Sequence, residues 1–217
     1  LFVGNPGTGK TTVARIMGNI FYSLGVLPSN RLLEVTRKDL VEGYVGQTAT
    51  KTARVVKRAV GGVFFIDEAY SLMGDNFGQE ATNTILPMLL DYKGKMVCIA
   101  AGYPREIRQW IDTNSGLESR FTKVIHFEDY NPDELAQIFR MKAKKDKLTL
   151  TPEAENAMRV YFTDLYNRRE RNFANAREVN NYFDRVKKNQ SSRLRHEMER
   201  PDFDPASYSI LLPEDMG

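Results

Sequence analysis

Leu1-Phe2-Val3-Gly4-Asn5-Pro6-Gly7-Thr8-Gly9-Lys10-Thr11 opens the chain. From Gly4 onward the run fits Gly-x-x-x-x-Gly-Lys-Ser/Thr, a spacing that implies a loop wrapped around a polyphosphate. Three glycines let the backbone close on phosphate oxygens and aim N–H groups at them with no Cβ in the way. Lys10 adds a mobile positive charge for the β and γ phosphates, and the Thr11 hydroxyl is placed to ligate Mg²⁺. The flanks agree with this reading. An apolar stub precedes the loop, and Val13-Ala14-Arg15-Ile16-Met17 to Phe21 follow with helical spacing. A strand, a glycine-rich turn and a helix are the setting this motif requires, so the sequence predicts a bound nucleoside triphosphate.

Outward from the loop, strand-like apolar runs recur at Leu1 to Val3, Leu32 to Val35, Val63 to Ile66, Met96 to Ala101 and Val124 to Phe127. Helical patterns lie between them, at about residues 11 to 24, 48 to 60, 80 to 91 and 104 to 113. Strands alternating with helices predict an α/β fold with a mostly parallel sheet flanked by helices. After Tyr130-Asn131-Pro132 the pattern changes to amphipathic helices at about 132 to 145, 152 to 168 and 174 to 198. Thr151-Pro152-Glu153 is the start signal of the second of these. The tail from Pro201 to Gly217 reads as extended or looped, except that Tyr208 to Leu212 is a candidate edge strand. The predicted organisation is an α/β nucleotide-binding subdomain at 1–130 and a helical lid subdomain at 131–217, with no internal repeat.

The chain has 217 residues, 41% hydrophobic and 27% charged, as expected of a globular protein. No apolar run approaches the length of a membrane span, and the start does not resemble a signal peptide, so no membrane partner is expected. The lone Cys98 cannot form an internal disulfide, which points to a reducing cytoplasm. Its apolar neighbours Met96, Val97, Ile99 and Ala100 make it a buried strand thiol rather than a nucleophile. The net charge of +3 is spread evenly: residues 1–130 carry 15 basic and 13 acidic side chains, residues 131–217 carry 16 and 15. Neither half is a basic module, which argues against nucleic acid as the partner. Lys142, Lys144, Lys145 and Lys147 form the densest basic run and read as a solvated helix end.

Val63-Phe64-Phe65-Ile66-Asp67-Glu68 is a wholly apolar strand ending in two acids. A buried parallel strand would deliver Asp67 to the carboxyl edge of the sheet beside the phosphate loop, where it can hold the Mg²⁺ shell. Glu68 points elsewhere and can orient and polarise an attacking water. A small-molecule kinase has no need of this pair, whereas a nucleotide hydrolase does.

With these residues in place, the chain resembles the AAA+ ATPases over nearly its whole length. Gly43-Tyr44-Val45-Gly46-Gln47-Thr48, Phe64 to Leu72, Ala101-Gly102-Tyr103, Ser119-Arg120-Phe121 and Asn175-Ala176-Arg177 are similar, in that order, to the CbxX/CfxQ group. That group includes the red-type rubisco activases and stage V sporulation protein K. The resemblance implies a P-loop AAA+ core with a C-terminal helical lid, ATP and Mg²⁺ as ligands, and a homo-oligomeric, hexameric ring.

The implied phosphate and nucleotide set is Asn5, Pro6, Gly7, Thr8, Gly9, Lys10, Thr11 and Thr12, with Asp67 and Arg177. Thr11 and Asp67 serve the metal, and Glu68 activates water. Arg120 matches the arginine finger that reaches the γ-phosphate of a neighbouring subunit, the alternative being an arginine that anchors its own domain. Arg177 matches the second sensor, the alternative being a surface helix arginine. Tyr44 and Val45, between Gly43 and Gly46, match a pore loop that grips a protein client, the alternative being a tyrosine folded back on its own domain. Gly74-Asp75-Asn76-Phe77-Gly78 reads as a second loop that offers Phe77 to the same channel.

Three positions depart from the family pattern. Tyr103 stands nearest the place of a polar first sensor. Asn180 stands where relatives carry a second arginine. The chain opens on the first core strand, so the segment that would close over the adenine is expected ahead of Leu1. The sequence therefore predicts a ring-forming ATPase that remodels a protein client. A nucleic-acid motor or loader, and a nucleotide-gated scaffold with slow turnover, remain the alternatives. Intact Glu68 argues against the scaffold.

Overall fold

The computed structural model describes residues 1–44, 46–198 and 204–217. The chain divides into two compact units, Leu1–Asn5 with Gly9–Glu128, and Pro6–Thr8 with Asp129–Gly217. The tip of the glycine loop thus groups with the second unit, which nothing in the sequence anticipates.

The first unit runs β1 (Phe2–Gly4), α1 (Lys10–Ser23), β2 (Leu32–Val35), α2 (Arg37–Leu40), α3 (Gln47–Ala59), β3 (Val63–Ile66), α4 (Asn76–Asp91), β4 (Val97–Gly102), α5 (Pro104–Asp112), α6 (Ser115–Arg120) and β5 (Ile125–Phe127). Among the described residues these strands form a five-stranded parallel sheet in the order β2-β3-β4-β1-β5. Strand alternation sorts its side chains into two cores. Val3, Val35, Phe64, Ile66 and Ala100 face helices α2 to α6, with Val56, Ile85 and Trp110 among the residues they meet. Phe2, Val63, Phe65, Ile99 and Ala101 face the other way, onto Ala14 of α1 and Leu27. Every residue of β3 is fully buried, which explains its unbroken apolar run.

Two stretches read as turns or loops are helical. The Asp75 side chain accepts from the Gly78 amide at 2.8 Å and starts α4, so Asn76, Phe77 and Gly78 occupy a helical turn rather than the expected loop. Arg37 fixes this start by binding Asp75 at 2.5 Å and the Ser71 carbonyl at 2.8 Å. Asn114 accepts from the Gly116 amide at 2.8 Å and so caps α6, where the sequence suggested only a turn.

The second unit carries α7 (Pro132–Lys145), β6 (Thr149–Leu150), α8 (Pro152–Asn167), α9 (Ala176–Glu197) and β7 (Ile210–Leu211). Asn131 and Glu134 cap α7 reciprocally, at 3.0 and 2.8 Å, and Thr151 caps α8. Lys142, Lys144 and Lys145 fall in the last turn of α7, where cations favour the helix dipole. The core is aromatic. Phe139 lies 5.2 Å from Phe183 and 5.5 Å from Tyr182, and Tyr161 stacks on Tyr182 at 3.7 Å between centroids. The candidate edge strand from Tyr208 to Leu212 is shorter than expected: Ile210–Leu211 pair parallel with Thr149–Leu150, and Tyr208 lies in a preceding 3-10 turn. Pro201, also in that tail, lies outside the described residues.

Candidate functional site

In the first unit, α1 begins at Lys10, directly after Gly9 at φ 91°. Gly9 supplies the left-handed turn that a Cβ-bearing residue resists, and it lets the helix start beneath the loop. The Lys10 ammonium folds back to donate to the carbonyls of Gly4 and Asn5, at 2.7 and 2.8 Å. Thr11 is half-buried and Thr12 exposed, both in the first turn of α1.

Asp67 follows β3, its amide still in the ladder through a 2.8 Å bond to the Val35 carbonyl. Glu68 then turns sharply, at φ 49° and ψ 46°, and leaves its carboxylate exposed. A non-glycine residue held there stores about 1–3 kcal/mol of strain, a cost typically found at functional sites. The change of backbone direction separates the two acids and gives them different surroundings. Sheet order adds a refinement, because β4 lies between β1 and β3. Asp67 therefore leaves the sheet two strands from the loop, and Tyr103, which follows β4, leaves it in between.

Sequence reasoning gave no role to Tyr70, yet its ring lies 5.9 Å from that of Tyr103 and packs against Gly102. Burial above all, with the Glu68 carboxylate next, pushes the Tyr70 phenol up to about 12. It therefore stays a hydrogen-bond donor at neutral pH.

Among the described residues no group of three His, Cys, Asp or Glu side chains converges as a ready-made metal site. Mg²⁺ carried on phosphates takes one or two protein oxygens rather than a protein cage, and Thr11 and Asp67 are the residues that could supply them.

In the second unit, Pro6, Gly7 and Thr8 lie against the start of α9. A Cβ on Gly7 would sit 2.2 Å from the Ala174 carbonyl oxygen, and its φ is 74°, so both space and conformation require glycine. Asn175 is fully buried at φ 50°, ψ −119°. Its Nδ2 donates to Asp129 Oδ1 at 2.8 Å, to Phe173 O at 3.0 Å and to Pro6 O at 3.3 Å, and its Oδ1 accepts from the Tyr130 amide at 2.8 Å. Asn175 had been seen only as part of a motif and Tyr130 only as a boundary. Arg177 is exposed in the first turn of α9. Asn180 accepts from Lys142 Nζ at 2.6 Å, a contact inside this unit.

Tyr44 is 74% exposed, which excludes a ring folded back on its own domain. Its loop is braced from α3. Thr48 Oγ1 accepts from the Glu42 amide at 3.0 Å, Lys51 pairs with Glu42 at 3.0 Å, and Thr52 Oγ1 donates to the Leu40 carbonyl at 2.9 Å. Val45 lies outside the described residues. Arg120 keeps its hydrogen bonds within α6, to Ser119 Oγ at 2.5 Å and the Gly116 carbonyl at 3.4 Å, while its buried Nε has no protein partner. Among the described residues no helix is long and apolar enough to cross a membrane.

Residues 1–129 match the model of the ATPase family associated with various cellular activities (AAA), and residues 131–217 match the AAA lid domain. Protein CbbX of Cereibacter sphaeroides is 41% identical over 219 residues, covering 99% of this chain and 70% of that protein. The chloroplastic ribulose bisphosphate carboxylase/oxygenase activase of Cyanidioschyzon merolae is 43% identical over 198 residues, covering 89% of this chain and 67% of that protein. The AAA domain of FIGL-1 matches in fold with a TM-score of 0.69 at 17% identity, over 99% of this chain and 67% of that one.

Proposed function

Because the chain belongs to the AAA ATPase family, and within it to the CbbX, CfxQ and rubisco activase type, we propose that it completes its hydrolytic site in a ring and uses the cycle to remodel a protein client. The loop from Asn5 to Thr12 holds the phosphates of ATP, with Lys10 supplying charge. Mg²⁺, when bound through Thr11 and Asp67, would neutralise charge on the β and γ oxygens. Glu68 orients and polarises the attacking water. Arg120 serves the site of a neighbouring subunit, and Arg177 reports the γ-phosphate to the lid of its own chain. Tyr103 takes the first-sensor place between the loop and Asp67.

The exposed Tyr44 on its braced stem is the observation that carries client remodelling. An aromatic ring held out in water on an anchored loop has no packing role in its own unit. It suits non-specific grip on a polypeptide passing a pore. The client's identity is open to direct capture. A Glu68→Gln ring trapped with ATP in native extract should retain a protein partner, and the same ring carrying Tyr44→Ala should lose it. Equal retention by both rings would rule out pore-loop threading.

A further inference from the structure

Three successive carbonyls of the glycine loop are each held by a donor from the second unit, to which the loop tip itself belongs. Asn175 Nδ2 donates to Pro6 O at 3.3 Å, the Ala176 amide donates to Gly7 O at 3.2 Å, and Tyr130 Oη donates to Thr8 O at 3.1 Å. In a trans peptide the carbonyl and the next residue's N–H point in opposite directions, and no described peptide is cis. Holding these carbonyls turns the amides of Gly7, Thr8 and Gly9 away from the donors that hold them. Consecutive N–H groups released on one side form an anion-binding concavity.

We propose that Asn175 and Tyr130 are positioning residues of the phosphate loop, which fix its carbonyls and thereby set its amides for a polyphosphate. Neither acts on the nucleotide directly. The orientation of the Asn175 amide follows from its surroundings. The Asp129 carboxylate and the Phe173 carbonyl only accept, so they face Nδ2, and the Tyr130 amide only donates, so it faces Oδ1. A buried asparagine with positive φ persists only where several contacts over-determine it, and here they do. The loop cannot drift from this support without breaking all three bonds. The fit at Gly7, where a Cβ would collide with Ala174 O, makes the contact close as well as polar.

The proposal rests on the loop's reading as the phosphate site, and the test separates the two. In the full chain, Tyr130→Phe keeps the ring and removes only the bond to Thr8 O. Asn175→Ala removes the bond to Pro6 O together with its neighbours. Each should raise KM for MgATP about tenfold, as expected for a lost hydrogen bond that preorganises the cradle, with a smaller change in kcat. In the nucleotide-free protein, Tyr130→Phe should also shift the amide resonances of Thr8 and Gly9. If both variants lower Tm while KM and those resonances stay at wild-type values, the contacts only hold the fold and the proposal is wrong. If the wild-type chain binds no MgATP, the phosphate-loop reading itself falls, and the positioning role of Asn175 and Tyr130 with it. Should Asn175→Ala fail to fold, Tyr130→Phe alone decides.

Discussion

Arg193 of α9 grips Asp215 with two donors, Nε to Oδ1 and Nη2 to Oδ2, each at 2.9 Å. Asp215 is 1% exposed and also accepts from the Leu212 amide at 2.8 Å, while Arg193 reaches the Ile210 carbonyl at 3.1 Å. One guanidinium therefore ties the C-terminal turn to the third lid helix. Arg193→Met should destabilise the second unit by about 3–5 kcal/mol, because it leaves a buried carboxylate without its counter-charge. Urea unfolding measures this. Adding Asp215→Leu should recover much of the loss, and no recovery would show that the pair does more than balance charge.

Glu68→Gln removes the carboxylate proposed to polarise water while keeping its size and its left-handed backbone position. Hydrolysis should fall by about 10²–10⁴-fold with MgATP binding retained, read as single-turnover rate against titration affinity. A loss of binding equal to the loss of rate would move Glu68 from chemistry to nucleotide recognition.

Arg120 has its hydrogen bonds within α6 and none to another element among the described residues, a state compatible with service to a neighbour. Specific ATPase activity should then climb with protein concentration, and Arg120→Ala should flatten the climb and cost about 10³-fold at saturation. Activity that does not vary from dilute chain to assembled ring would end the assignment in trans.

Acid should loosen the lid through Glu155. The Arg140 hydrogen bond, aided by Arg159, holds its carboxyl below the ordinary 4.5. A depressed folded-state value means that this stability is present above about pH 4.5 and is lost as pH falls through the folded value. Tm plotted against pH should fall below 4.5, and Glu155→Gln should make that part of the slope shallower. An unchanged slope would place the acid sensitivity elsewhere.

Burial pushes the thiol of Cys98, a half-buried residue of β4, up to about 12 from an ordinary 9.0. Thiolate is the reactive form, so an aromatic disulfide reagent should label Cys98 at least roughly a hundredfold more slowly in the folded chain than in urea. Equal rates would mean that the strand opens readily.

Much of the frame was legible in the chain. β2 and β3 lie at the residues their apolar runs name, and α7 to α9 start within two residues of the expected 132, 152 and 174, because strand burial and helical periodicity are local signals. Short pieces were not. The single turns α2 and α6 and the strand at Thr149–Leu150 have too few residues to show a period, and the last exists only because Ile210–Leu211 pairs with it. Phe77 was misplaced for a similar reason, since the Asp75 cap looks the same in sequence as a polar loop residue.

For the candidate site, Gly4 to Thr11 and Asp67-Glu68 are proposed on sequence spacing alone, since steric and charge demands on residues close in the chain leave a fixed pattern. What only the tertiary structure decided is contact across long separations. Tyr130 on the Thr8 carbonyl, Asn175 on Pro6 and Arg193 on Asp215 have no spacing rule, because a hydrogen bond depends on distance in space and not along the chain, and Tyr103 falls between the loop and Asp67 only through the order of the strands. The sequence by itself determined which groups are suited to phosphate, and the folding of distant segments decided what holds those groups in place.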